Sequence, residues 1–330
     1  MSVVKIDTIK PFNEIWFKNC YYSAYFPIII ALGETIVPLL TNQIFEFHID
    51  DYGYISFDEK IYEKEDEIEN KLGIKVIKKI VVDDVIKRLK SSINKGNPVL
   101  LKVDCFYEST RLDTYKKIHA PHVITVYGYN DKSKEFCILD HDSINSIMYK
   151  EKTLPYSDIQ KAYESFTDKY MEYSEYSYYE YEKKENIDVH KIEELYKNNY
   201  IKKDMLNEYK LRNLLYCIDK ADLNIKKLVC EKDLNGLNNQ LNKLNELINN
   251  KKAEYYILKC VGYSQDKEIM YKKSIQTWSL IRAIIAKFVF SKNFKETAIN
   301  VLNNKLDELR DIESSYYNDI FSYFDMREER

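Results

Sequence analysis

Glycine and proline are scarce in this chain, at 7 and 6 copies in 330 residues. All six prolines (11, 27, 38, 98, 121, 155) and five of the seven glycines fall in the first 155 residues, so turns crowd there and thin out afterwards. Cysteine is present without pairing: Cys20, Cys105, Cys137, Cys217, Cys230 and Cys260 form no C-x-x-C, and no basic segment leads into an apolar stretch at the N-terminus. A reducing, cytoplasmic setting with free thiols is expected. Excess positive charge is also missing, and a net charge of −3 leaves no electrostatic footprint for nucleic acid. The most apolar stretch, FPIIIALGETIVPLL at 26–40, holds Glu34 and two prolines and falls short of the roughly 20 residues that span a bilayer. A buried helix and turn is expected there, and no membrane. Neither GxxxxGK nor GxGxxG occurs, which removes the phosphate-binding loops that a nucleotide enzyme would need. The 30 tyrosines carry no function of their own.

What is present divides the chain near residue 155. A chain of 330 residues is long enough for two cores. After the divide, apolar residues recur at helical spacing: Leu234, Leu237, Leu241, Leu244, Leu247; then Ile275, Trp278, Ile281, Ile285, Phe288; then Ile299, Leu302, Leu306, Leu309. Before it, GNPVLLKVDCFYE (96–108) reads as a strand entered through a Gly and Pro turn, and 122–129 and 136–140 as a hairpin joined by NDKSK. Helices are expected near 20–32, 58–72 and 82–94. The fold class is therefore α+β with an antiparallel sheet, followed by an all-helical domain. The expected division is 1–165 for the first domain, 166–186 for a tyrosine-rich acidic linker or helix, and 187–330 for the helical domain.

The segment HAPHVITVYGYNDKSKEFCILDHD (119–142) puts a histidine at the start of one strand and an acid at the end of the next. In an antiparallel pair those ends lie side by side, so His122 can meet Asp140 across the ladder, with Asp142 as the alternative because register decides the match. Cysteine catalysis needs those two groups and a thiol, best placed at a helix N-terminus where the macrodipole and free N–H groups favour the thiolate. FKNCYYSAYFPIII supplies that context, with Asn19 as cap and Cys20 opening the helix. Cys105 and Cys137 lie in expected strands and read as core thiols.

The order Cys, His, Asp, with C-x3-A opening a helix, PVLLKVDxxY as central strand, H-x2-HVITVYGYND as histidine strand and FCILD closing the hairpin, resembles the papain-like superfamily. More narrowly it resembles the N-terminal domain of the butirosin-biosynthesis acyltransferases, whose members continue into a helical domain. The resemblance covers about residues 10–165. It implies transfer of an acyl group from the phosphopantetheine thioester of an acyl or peptidyl carrier protein to a small-molecule amine, through an acyl-cysteine, in specialised metabolism. Polythioamide pathways of the closthioamide type, where papain-like homologues form amides, are one home it suggests. Carried over by position, Cys20 resembles the nucleophile, His122 the base and Asp140 the orienting acid. No cofactor is implied beyond the donor's own phosphopantetheine. Papain-like enzymes place a Gln some residues before the nucleophile as oxyanion donor, whereas this chain has Glu14, which cannot donate when ionised. Asn13, Asn19 or a backbone N–H is expected to take that part. His119 is a candidate for the cleft wall.

Three rival readings stand beside this one. His119, His122, Asp140, His141 and Asp142 offer a mixed imidazole and carboxylate metal site, although alternation turns His141 away from its acidic neighbours and Cys20 is then unexplained. A cysteine peptidase or amide hydrolase would use the same three residues. A binding protein on a papain-like fold would need none of them. Homo-oligomerisation is left open.

Overall fold

The computed structural model describes residues 3–15, 19–143, 146–184, 187–202, 208–263 and 268–328. The chain forms two compact units, residues 1–36 with 63–192, and residues 37–62 with 193–330.

The first unit is built on an antiparallel sheet. Its strands are β1 (Val4–Lys5), β4 (Ile74–Lys79), β5 (Val99–Asp104), β6 (Pro121–Asn130), β7 (Glu135–Ser143), β8 (Ser146–Pro155) and β9 (Tyr178–Lys183). The order across the sheet is β4-β9-β5-β6-β7-β8, with β1 also pairing β6. The helices of this unit include α1 (Cys20–Ala31), α3 (Glu65–Lys71), α4 (Val85–Asn94) and α5 (Tyr156–Tyr170). Val99, Leu101, Val103, Ile124 and Val126 of the central strands pack with Leu89 and Ile93 of α4 and with Ile159, Ala162 and Tyr163 of α5. Helix α1 is apolar on nearly every side, and residues 23–29 are buried, as the 26–40 stretch leads one to expect. Thr125 Oγ1 donates to Ala24 O at 2.6 Å, tying α1 to β6. Gly33, at φ +80°, follows the end of α1 in the left-handed region that glycine adopts without strain. At Gly128 the β6–β7 register shifts, and a Cβ there would lie 2.9 Å from Val4 O, so only glycine lets β1 approach.

Two expectations need correction. Residues 166–186 are no linker: α5 runs to Tyr170 and β9 lies between β4 and β5, inside the sheet. Its sequence YYEYEK buries Tyr178, Glu180 and Tyr181, and Arg88 and Asn97 partner the Glu180 carboxylate. Mixed charge hid a strand whose acid is satisfied in the interior. The expected helix at 58–72 is strand up to Ile61 and helix only from Glu65.

In the second unit, α2 (Val37–Thr41) and the hairpin β2 (Gln43–Ile49) and β3 (Ile55–Ile61) belong with α7 (Glu208–Glu231), α8 (Leu234–Cys260), α9 (Glu268–Ser291) and α10 (Glu296–Glu328). Helix α6 (Val189–Tyr200) spans the division between the units. The described residues after 189 are helical or in short connections, but the unit they build also takes in a hairpin from the first third of the chain. The expected stripe is core: Trp278, Ile281, Ile285 and Phe288 are fully buried. No helix among the described residues is long and apolar enough to cross a membrane.

Candidate active site

Asn19 caps α1, its Oδ1 accepting from Tyr22 N at 3.1 Å, so Cys20 is the first helical residue as the sequence suggests. His122 is the second residue of β6 and Asp140 the sixth of β7. His122 Nε2 lies 2.8 Å from Asp140 Oδ1, both side chains being buried. The side chain of His122 is near enough to Cys20 to lower its thiol, while His122 Nε2 is committed to Asp140. The structure thus brings Cys20, His122 and Asp140 together. The side chain of Asp142 lies outside the described residues.

Tyr149 of β8 locks this geometry from behind. Its hydroxyl lies 2.8 Å from Val123 O and 3.2 Å from Cys20 O, sharing one proton between the histidine strand and the start of the cysteine helix. Burial pushes the Cys20 thiol up, but the hydrogen bond and charge of His122, with the backbone N–H groups of Cys20 and Tyr21, bring it below an ordinary thiol. Burial opposes charge on His122 as well, yet Glu108, Asp140 and Cys20 outweigh it and raise the imidazole to about 10. Burial acts against the charge on Asp140 too, but His122, Lys152 and Arg111 hold its carboxyl well below the usual range. The environment therefore favours charge on both members of the pair, a thiolate beside an imidazolium oriented by a carboxylate.

Sequence reasoning missed the groups behind the pair. The loop after β5 folds Glu108 and Arg111 inward. Arg111 Nη1 is 3.3 Å from His122 Nε2 and 3.8 Å from Asp140 Oδ1, while Asp113 grips its other side at 3.0 and 2.8 Å. Lys152 Nζ lies 3.6 Å from Asp140 Oδ2. Glu108 is fully buried, and among the described residues neither of its oxygens has a hydrogen-bond partner. Burial and the charge of Asp140 push its carboxyl up to about 8. The burial of an acid inside a loop leaves no mark on sequence periodicity, which is why it went unread.

The metal reading changes composition. The ligand atoms that converge within 4.8 Å of one another belong to Glu108, His122 and Asp140. His119 is not with them: its Nδ1 bonds Asp104 Oδ2 at 2.6 Å, its ring stacks on Phe106 at 4.0 Å, and Lys169 Nζ sits 3.0 Å away. His141 packs its ring edge against His122 at 4.9 Å, and burial with the positive charge of His122 and Arg111 lowers it to about 4. Two cationic side chains, Arg111 and Lys152, already neutralise the carboxylates that an ion would use.

One oxyanion candidate, Asn13, is engaged elsewhere. Asn13 is spent on backbone, with Nδ2 to Tyr149 O at 2.9 Å and Oδ1 from Tyr149 N at 2.8 Å. Asn19 caps the helix through its Oδ1 and not through its amide N–H, so it stands as a candidate donor, and Glu14 is exposed. The backbone N–H groups of Cys20 and Tyr21 at the start of α1 also favour the thiolate. A cavity of about 360 Å³ opens beside Cys20 and His122, walled by Pro121, Val123, Phe166, Tyr170 and Tyr173, with Lys102 and Ser174 as its polar groups. His119 is not part of that wall.

Residues 30–141 match the family described as butirosin biosynthesis protein H, N-terminal. The family read from the sequence is the family matched. The matched segment, about a third of the chain, contains His122 and Asp140 and begins after Cys20. No curated protein matches. Among solved structures, one described as a candidate C39-like peptidase from Bacillus anthracis aligns at 12% identity and TM-score 0.33, over 56% of this chain and 100% of that one. The butirosin-type segment thus sits in an α+β unit with an antiparallel sheet, succeeded by helices.

Proposed function

We propose that this chain forms amides by acyl transfer from a carrier-protein thioester to an amine, with Cys20 as nucleophile, His122 as proton carrier and Asp140 as the group that fixes the imidazole. The observation that supports it best is the Cys20, His122 and Asp140 set at the mouth of a cavity, with the thiol lowered and the imidazole raised to about 10. The thiolate attacks the thioester carbon and the donor C–S bond breaks. The leaving thiol takes the His122 proton. The amine then attacks the acyl-Cys20, His122 accepts the N–H proton, and the Cys20 thiolate departs. No nucleotide enters, because a thioester lies above an amide in free energy. The name of the matched family, from butirosin biosynthesis, supports a reaction in specialised metabolism.

The test is intact mass of the protein after incubation with acyl-thioesters, with and without Cys20. An acyl adduct that is lost in Cys20→Ala and discharged as amide when an amine is added is the expected result. Discharge to free acid at the same rate with and without amine would make the protein a hydrolase, and absence of any adduct would remove the acyl-enzyme.

A further inference from the structure

We propose that the cavity beside Cys20 seats the acyl group of the donor, and that it selects a flat aromatic acyl group whose far end carries a carboxylate. This rests on the acyl-transfer reading of Cys20.

The wall chemistry defines the body of the ligand. At about 360 Å³ the cavity is of a size that takes a small-molecule ligand. Phe166 is buried, and its ring lies 5.6 Å from that of Tyr170 at an interplanar angle of 38°. Tyr173, 80% exposed, stands at the rim, while Pro121 and Val123 complete an apolar lining. Such a slot favours a rigid ring, which stacks on its neighbours and loses little rotamer freedom on binding.

Lys102 defines the other end. It is the one charged residue in VLLKV of β5, where Val99, Leu100, Leu101 and Val103 are all fully buried. Lys102 pairs with Val123 across the ladder, next to the Val103 and His122 pair, and both Lys102 and His122 line the cavity. Its ammonium contacts Ser174 Oγ at 2.6 Å and lies over the Tyr179 ring at 5.3 Å. Among the described residues no carboxylate forms an ion pair with it, and Glu175 acts on it only through longer-range charge. An ammonium has three donors, and one hydroxyl and a ring face leave it short of acceptors in a partly desolvated place. A carboxylate entering with the substrate supplies both the charge and the lone pairs.

The experiment uses the full chain and the N-acetylcysteamine thioesters of benzoic, 4-carboxybenzoic and hexanoic acids, with acyl-Cys20 followed by intact mass. Loading of 4-carboxybenzoyl at least about tenfold faster than benzoyl is expected, with hexanoyl slowest, and Lys102→Met should bring the carboxybenzoyl to benzoyl ratio to about one. Lys102→Arg, which keeps the charge, should restore part of the preference. In the Cys20→Ala background, 4-carbamoylbenzoate should bind more tightly than benzamide by NMR titration, and that difference should vanish with Lys102→Met. Equal loading of the two benzoyl thioesters, or a ratio untouched by Lys102→Met, overturns the assignment while leaving acyl transfer intact. Lys102-dependent binding without any loading removes acyl transfer and leaves the cavity as a site for aromatic carboxylates.

Discussion

At the scale of single residues, the thiols of this chain differ by environment more than by sequence. Burial and the Glu108 charge drive the Cys105 thiol far above its ordinary value and burial raises Cys217 to about 11, while His122 lowers Cys20. At pH 6 an ordinary thiol is under about 1% thiolate. Iodoacetamide at that pH should therefore label Cys20 first, ahead of the exposed Cys230, and peptide mapping should show the selectivity lost in His122→Ala. Glu108 makes a second, opposite statement about pH. Its folded-state carboxyl, pushed up to about 8, lies above the roughly 4.3 of an unfolded chain, so the native state holds the extra proton in between. Its contribution is complete below about pH 4 and is lost as pH rises through about 8. Glu108→Gln keeps the neutral form at every pH. Relative to this variant the natural chain should lose stability between pH 5 and pH 8.5, by at most about 1.4 kcal/mol per pH unit, as read from denaturation midpoints. Equal pH slopes for the two proteins would show that Glu108 is ionised throughout.

At the scale of elements, the hairpin was legible and the groups behind it were not. The strand ends carrying His122 and Asp140 follow from alternation and a short turn. The identity of the oxyanion donors does not, because Asn13 is consumed by Tyr149, a residue 136 positions away. Helix α10 shows the same limit. Its apolar spacing announces a helix, but the spacing is silent on Glu313, which is fully buried and accepts from Lys251 at 2.8 Å, Ser274 at 2.7 Å and Trp278 Nε1 at 2.6 Å. Glu313→Ala strands the buried Lys251 ammonium and two further donors. A loss of about 3–5 kcal/mol in urea unfolding is expected, and a loss under about 1 kcal/mol would mean that water reaches Lys251 in the variant.

At the scale of the whole molecule, the two units interleave in sequence, and truncation should expose that. A chain ending at 165 lacks β9 and leaves facing edges of β4 and β5 unpaired in mid-sheet, so it should show no cooperative thermal transition by circular dichroism. A chain ending at 192 keeps all seven strands but leaves α2, β2 and β3 without α7 and α8, which pack on them. It should retain the sheet yet be cut by protease within 37–62, and adding 193–330 in trans should protect that segment. Cooperative folding of the 1–165 chain would show that β9 is dispensable. The sequence by itself determined the α+β first region, the helical remainder, the cap and helix start at Cys20, and the reach of His122 to Asp140, because each depends on local periodicity, turn chemistry or hairpin register. Only the tertiary structure decided that a tyrosine-rich acidic stretch is an inner strand, that residues 37–62 join the helices, that Glu108 and Arg111 gather at His122 and Asp140, and that Tyr149 and Lys102 flank the histidine strand and the cavity. Those outcomes depend on which distant partners satisfy a buried charge or strand edge, and no spacing along the chain encodes that choice.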